Sequence, residues 1–302
     1  MKPIAITCGD PAGIGPEVVE HHLRLEPAWA ERVVLIGPQA WLDAPAFSSA
    51  QKIPVGSASF TMNPGHPSLE GASIACEALE RAAEGCKAGT FSAVVTGPVS
   101  KSWMQQVGFT FPGQTEFFAA RWGGVPTMAF AGERMVLTLG TWHIPLAEVP
   151  AAITKAVIER TVRHTGWLLK HLGKADPVIG VCGLNPHAGE EGILGREEIE
   201  TINPCLEVLR NQYPALSDCQ PADTLFHRHL QGDFDAVIAW YHDQGLAPLK
   251  ALEFDTAVNI TLGLPYVRTS PDHGTAFSIA GTAQANPQSF ARALTLADQL
   301  VR

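Results

Sequence analysis

An α/β fold with much parallel sheet follows from two patterns in the 302-residue chain. Short apolar, β-branched runs recur along its length, and longer stretches of helical periodicity separate them. The first runs fall at 4–7 and 33–36, each short enough for a buried strand. A helical stretch over 69–87 then leads to strands at 93–96 and 135–139. Helix 150–172 precedes a strand at 178–182, and helices 196–210 and 223–231 precede strands at 236–240 and 257–261. The last helix is signalled by Asn286 as N-cap and Pro287 at its first position. Phe290, Ala293, Leu294, Ala297 and Val301 form its apolar face. The length suits one large domain or two moderate ones. No repeat, low-complexity tract or linker divides it, so a second lobe must arise from excursions of the chain.

The composition, 46% hydrophobic, supports a sizeable core. Lys and Arg number 21 against 30 Asp and Glu, a net charge of 21 − 30 = −9 that argues against nucleic-acid or anionic-membrane partners. The six cysteines form no CxxC pair and are expected as reduced thiols, most of them buried. The start, MKPIAITCGD, does not read as a signal peptide, and no apolar stretch reaches 18 residues. A cytoplasmic location is the expectation.

The segments that follow the strands carry the chemistry. The runs release into ITCGDPAGIGPE, VVTGPVSK, TLGTWH, GVCGLNPHAGE, IAWYHDQG and VRTSPDHGTA. In open α/β sheets the carboxyl ends of strands line the ligand crevice. Of the eleven histidines, His143, His187 and His242 each follow a separate apolar run. Three imidazoles converging from different elements would hold a divalent ion and leave positions open for substrate oxygens. Hydrogen bonding at strand ends is the plainer alternative. Asp223 and Asp243 are the nearest carboxylate candidates, as outer partners of the histidines or as a general base. Asp223 also suits a helix N-cap.

Lys250, Asn259 and Arg268 fall at intervals of nine, the last two in or beside AVNITLGLPYV. A Lys charge, an Asn amide and an Arg fork make a cradle for phosphate or carboxylate. Lys101, closing TGPVSK, is a further candidate. Gly9, Gly13 and Gly15 fit neither GxGxxG nor GxxxxGK[ST], so no nucleotide loop is inferred from them. HGTAFSIAG followed by ANP is a small-residue loop with a helix start, which lets a dinucleotide lie close to main chain. Its candidate contacts are His273, Gly274, Thr275, Ala276 and Asn286.

Taken together, GLNPHAGEEGILGREE, WYHDQGLAPLK and VNITLGLPYVRTSPDHGTA resemble the 4-hydroxythreonine-4-phosphate dehydrogenase family of vitamin B6 biosynthesis. The resemblance runs from ITCGDPAGIGPE to SPDHGTAFSIAG, essentially the whole chain. It implies the two-lobed, three-layer α/β/α fold of isocitrate and isopropylmalate dehydrogenases, with the active-site cleft between lobes. The lobes expected are 1–125 plus 260–302, with the cofactor loop at 273–287, and 126–259, with the metal ligands and dimer contacts. It also implies NAD as cofactor, a divalent metal (Zn, Mg or Co) on His143, His187 and His242, and a homodimer in which one ligand comes from the other subunit. Lys250, Asn259 and Arg268 become contacts of a small phosphorylated substrate, with Gln114 and Thr115 nearby as further substrate-binding residues; beside the resemblance, Lys101, Asp223 and Asp243 are our catalytic candidates. The family's usual GHTE stands here as Gly113-Gln114-Thr115-Glu116, and Ser100 stands where the family often has His. Rival readings are a same-fold dehydrogenase of threonate or erythronate phosphate, one of a cis-dihydrodiol dicarboxylate, and a silent metabolite binder.

Overall fold

Apolar runs too uniform to alternate must be covered on both faces. In the computed structural model, which describes residues 2–302, the runs at 4–7, 33–37, 93–96 and 236–239 are buried at every position. The eleven strands in chain order are β1 Ile4–Thr7, β2 Val33–Gly37, β3 Gln51–Pro54, β4 Ala93–Thr96, β5 Thr127–Ala131, β6 Val136–Leu139, β7 Ile179–Cys182, β8 Leu216–Gln220, β9 Ala236–Ala239, β10 Val258–Leu262 and β11 Val267–Pro271. They divide between two compact units, Met1–Pro126 with Leu264–Arg302, and Thr127–Gly263. The chain leaves the second unit after Gly263 rather than after residue 259. The reason is that β10 pairs antiparallel with β5 along all five of its residues.

In the first unit all pairings are parallel, in the order β3-β2-β1-β4-β11. The helix Leu69–Lys87 packs on β1, β2 and β4 through a stripe that includes Ile74, Ala75, Ala78, Leu79 and Ala82. Ser68 starts it, its Oγ accepting from Gly71 N at 3.0 Å. The helix Gln288–Leu300 lies against β11 and β4 and buries Phe290, Ala293, Leu294 and Ala297. The helix starts one residue later than expected, with Pro287 rather than Asn286 at its N-cap, while Asn286 Oδ1 accepts from Gln288 N at 3.0 Å.

In the second unit the order is β10-β5-β6-β9-β7-β8. The β10–β5 and β5–β6 pairs are antiparallel and the rest parallel. Helices Lys155–His171, Ala222–Leu230 and His242–Glu253 cover it. The fully buried Trp240 donates from Nε1 to Cys182 O at 2.5 Å, tying the ends of β7 and β9.

Several expected elements are redrawn. The helix expected over 150–172 is two, Val149–Ala152 and Lys155–His171. Thr154 is extended between them, and its Oγ1 accepts from Val157 N at 3.4 Å as a new N-cap. The helix expected over 196–210 begins as a wide π turn at Glu198–Ile202 and becomes α-helical over Asn203–Leu209. Pro204 has no N–H to close the ordinary ladder there. The helix expected over 223–231 is Ala222–Leu230, with Pro221 rather than Asp223 at its cap. Strands β3, β5, β8 and β11 were not expected. Arg268, directly beside the run that contains β10, lies in the unexpected strand β11.

Candidate active site

Parallel pairing continues past β6 and β9, and this sets the histidines. Gly140 N donates to Ala239 O at 2.8 Å and Thr141 N to Trp240 O at 3.0 Å. The two loops thus leave their strands side by side, and the His143 and His242 rings stand 5.8 Å apart between centroids. Both line a pocket of about 350 Å³ with Trp142, Ile144, Tyr241 and Asp243. His242 Nδ1 is 2.7 Å from Asp243 Oδ1. A carboxylate only accepts, so Nδ1 carries the proton of this contact. Gln244 fixes the base of this loop, accepting from Trp240 N and donating to Gly183 O, both at 2.7 Å.

His187 follows β7 in a turn where five consecutive residues, His187–Glu191, are left-handed, with φ from 43° to 84°. Each non-glycine residue there costs about 1–2 kcal/mol, and such strain persists where the surroundings impose it. Here they do. Asn185 binds Glu197 Oε2 at 2.7 Å and Glu198 Oε2 at 3.0 Å, and the Glu198 carboxylate is buried. His187 Nδ1 meets Glu190 Oε2 at 2.9 Å, the same carboxylate backing as at His242. His187 does not line the His143–His242 pocket. Among the described residues no three His, Cys, Asp or Glu side chains converge closely enough to hold an ion. Asp223 is exposed in the first turn of its helix, where its charge suits the helix N-terminus, and does not line the pocket either.

The first unit gathers Arg268, Thr96, Gln114 and Lys101. Arg268 on β11 is only 4% exposed. Burial pulls its pKa down to about 10, opposed by the charge of Glu116, so it stays protonated at neutral pH. Its Nε and Nη2 donate to Thr96 Oγ1 at 3.2 and 2.8 Å, and Nη2 also donates to Gln114 Oε1 at 3.0 Å. Gln114 opens the helix Gln114–Trp122, next to the buried Thr115. Lys101 begins the helix Lys101–Gln106, and its Nζ would lie 3.8 Å from a Cβ on Gly113. Lys250 and Asn259 belong to the second unit. Lys250 is in the last turn of His242–Glu253, its Nζ 5.8 Å from the Phe254 ring centre, and Asn259 pairs with Phe130 across β10 and β5.

Four amides of the Gly9–Gly15 turn are spent on protein. Asp10 N donates to Pro98 O, Ala12 N to Asp10 Oδ1, Gly13 N to Asp10 O and Ile14 N to Thr275 O, all at 2.9–3.0 Å. It buttresses the loop that carries His273, Gly274, Thr275 and Ala276. Gly274 differs from a structural glycine: a Cβ there meets nothing within 4 Å, and its φ is ordinary. The fold itself does not demand glycine there, whereas a ligand pressed against main chain would. Asn286 lies at the far end of this segment, its side chain accepting from Gln288 N.

The model of the family described as pyridoxal phosphate biosynthetic protein PdxA matches residues 17–297. A 4-hydroxythreonine-4-phosphate dehydrogenase from Aromatoleum aromaticum is 43% identical over 99% of this chain and 96% of its own. The chain belongs to the PdxA family. The crystal structure of a Klebsiella pneumoniae 4-hydroxythreonine-4-phosphate dehydrogenase superposes with a TM-score of 0.84 at 33% identity, covering 100% of both chains. A terephthalate 1,2-cis-dihydrodiol dehydrogenase from Burkholderia xenovorans LB400 follows at 0.71 and 28%, covering 99% of this chain and 98% of that one. An isocitrate dehydrogenase from Methylococcus capsulatus shares the fold, with a TM-score of 0.53 at 16% identity over 99% of this chain and 88% of that one. Three residues that the patterns did not single out bond to the candidate residues or their loops in this PdxA-family chain: Thr96, Glu190 and Gln244. Glu190 was readable as an acid three residues after His187, whereas Thr96 acts on a residue 172 positions away.

Proposed function

We propose that this chain catalyses the NAD-dependent oxidation and decarboxylation of 4-phosphooxy-L-threonine to 3-amino-2-oxopropyl phosphate, in vitamin B6 biosynthesis. The C3 hydroxyl gives its proton to a base, and the cofactor, once held by the 273–287 loop, would accept the hydride from C3. The resulting β-keto acid then breaks its C1–C2 bond and releases CO₂. The observation that carries this reading is the pocket in which His143 meets a carboxylate-backed His242, in a chain of this family. When bound, NAD supplies the hydride acceptor and a divalent ion stabilises negative charge at the substrate oxygen.

The residues fit both groups. Nδ1 of His242 and of His187 is engaged by a carboxylate, which leaves Nε2 for a metal such as Zn, Mg or Co. In this reading one of His143, His187 and His242 comes from a second copy and the homodimer is the working unit, in keeping with the lack of three converging donors among the described residues. Asp243 holds His242 in its tautomer, a role its 2.7 Å contact favours over that of base. Lys101 adds a second cation beside Gln114 and Thr115. Arg268, Lys250 and Asn259 bind the anionic groups of the substrate. His273, Gly274, Thr275, Ala276 and Asn286 form the NAD site, where the open space at Gly274 admits close approach. The six cysteines are free thiols, four of them buried, and the cytoplasm is the compartment this reading assigns.

The test offers metal-loaded protein 4-phosphooxy-L-threonine, D-threonate 4-phosphate and D-erythronate 4-phosphate in parallel and follows NAD reduction. Reduction with the first supports the reading. Reduction with a sugar acid alone would transfer the site to the rival substrate class.

A further inference from the structure

Both ends of the Gln114 amide are spent on protein. Oε1 accepts from Arg268 Nη2 at 3.0 Å, and Nε2 donates to Gly97 O at 3.2 Å. The partners force this orientation, because a guanidinium only donates and a carbonyl only accepts. Gln114 is thus a clamp between β11 and the turn after β4. We infer that Gln114 is a positioning residue for Arg268: it aims the guanidinium at an anionic group of the substrate and does so without cancelling its charge.

Neutrality is the point. Thr96 and Gln114 are uncharged acceptors for the guanidinium, which also feels the charge of Glu116. A carboxylate at position 114 would pair with Arg268 and compete with the substrate. An imidazole would serve only while neutral, since the protonated ring offers two donors and no acceptor. The charged and titratable groups around this spot are Glu116 on the same helix, Lys101 beside Gly113, and Cys8 and Asp10 in the turn that packs on Gly97. Among these, glutamine is the side chain that accepts from Arg268 and donates to Gly97 at every pH.

The inference rests on Arg268 as a substrate contact, so its test uses inorganic phosphate as a probe beside the substrate itself. Calorimetric phosphate binding and steady-state kinetics are compared for wild type, Q114A, Q114E, Q114H, R268M and the Q114A/R268M pair. Loss of one hydrogen bond to a charged group, with Thr96 still in place, weakens phosphate binding by about tenfold in Q114A. KM for 4-phosphooxy-L-threonine rises in step, while kcat falls less. Q114E binds phosphate more weakly than Q114A. In R268M the Q114A substitution has no further effect, as coupling through one bond requires. Q114H, which needs no change at Arg268, shows a KM ratio to wild type that grows as pH falls through about 6.5.

A direct substrate contact by Gln114 would overturn the inference, and would show as a Q114A effect undiminished in R268M. So would Q114E binding phosphate as tightly as wild type, or a Q114H ratio independent of pH. Wild-type protein that binds phosphate as described but does not reduce NAD with 4-phosphooxy-L-threonine would refute the functional reading and leave the clamp standing.

Discussion

Replacing Asp243 with alanine removes the carboxylate that receives the Nδ1 proton of His242 at 2.7 Å. The ring proton then partitions between the two nitrogens, and the Nε2 lone pair is present only part of the time. The negative charge behind the ligand is lost as well. Loss of such a partner costs about 10–100-fold in metal affinity, or about 1.4–2.7 kcal/mol. The Asp243 side chain is 86% exposed, so the fold should change by less than about 0.5 kcal/mol. The effect on binding is therefore separable from unfolding. Calorimetric titration with Zn²⁺ or Co²⁺ reads it directly. Asp243→Asn keeps a neutral acceptor for Nδ1–H and should fall between wild type and Asp243→Ala. Metal affinity of Asp243→Ala within twofold of wild type would refute the orienting role. If both variants bound metal normally and lost turnover equally, Asp243 would be the proton acceptor instead.

Thr96→Val preserves shape but deprives two Arg268 N–H groups of their acceptor, and should cost about 1–3 kcal/mol in urea unfolding; an unchanged midpoint would contradict the buried clamp. Gly274→Ala has room for its methyl, so stability should hold to within about 1 kcal/mol while KM for NAD rises by about tenfold; an unaltered KM would remove Gly274 from the cofactor site. His164 sets a pH dependence. Burial first, then the charge of Arg160, lowers its pKa from 6.5 to about 4. Between these values the unfolded chain binds more protons, so stability is full above 6.5 and is lost as pH falls towards 4. His22 and His229 shift in the same direction, each mainly through burial. Discounted for partial exposure, His164 contributes about 1–2 kcal/mol. His164→Gln should flatten urea stability between pH 4.5 and 7, on the order of that amount, and an unchanged slope would contradict it.

The elements legible in the residues were those whose burial needs no distant partner. β1, β4 and the helix Leu69–Lys87 read directly because their apolar spacing is the reason they form. β3 and β8 carry mostly polar or half-exposed residues, so no apolar run announces them. β11 is the instructive case. Its sequence VRTSP is polar, yet four of its five residues are buried. Arg268 bonds to Thr96, and Thr269 Oγ1 donates to Ala293 O at 2.8 Å, partners that local periodicity cannot reveal. The site divides similarly. His143, His187 and His242 stand out because each follows an apolar run, but only the continued pairing beyond β6 and β9 shows which two meet. The glycines of the 9–15 turn fit no nucleotide fingerprint by spacing, and the amides of Asp10, Ala12, Gly13 and Ile14 donate to protein acceptors. The pairing of Gln114 with both Arg268 and Gly97 had no signal in the sequence at all.

The central claim is that oxidation at C3 and loss of CO₂ are coupled on one phosphorylated amino acid. Simultaneous measurement of NADH and CO₂ from 4-phosphooxy-L-threonine, with metal-loaded and chelated protein, tests it most directly. The account predicts equimolar NADH and CO₂, both abolished by chelation and restored by adding metal back. NADH without CO₂, or turnover unchanged after exhaustive chelation, would contradict it.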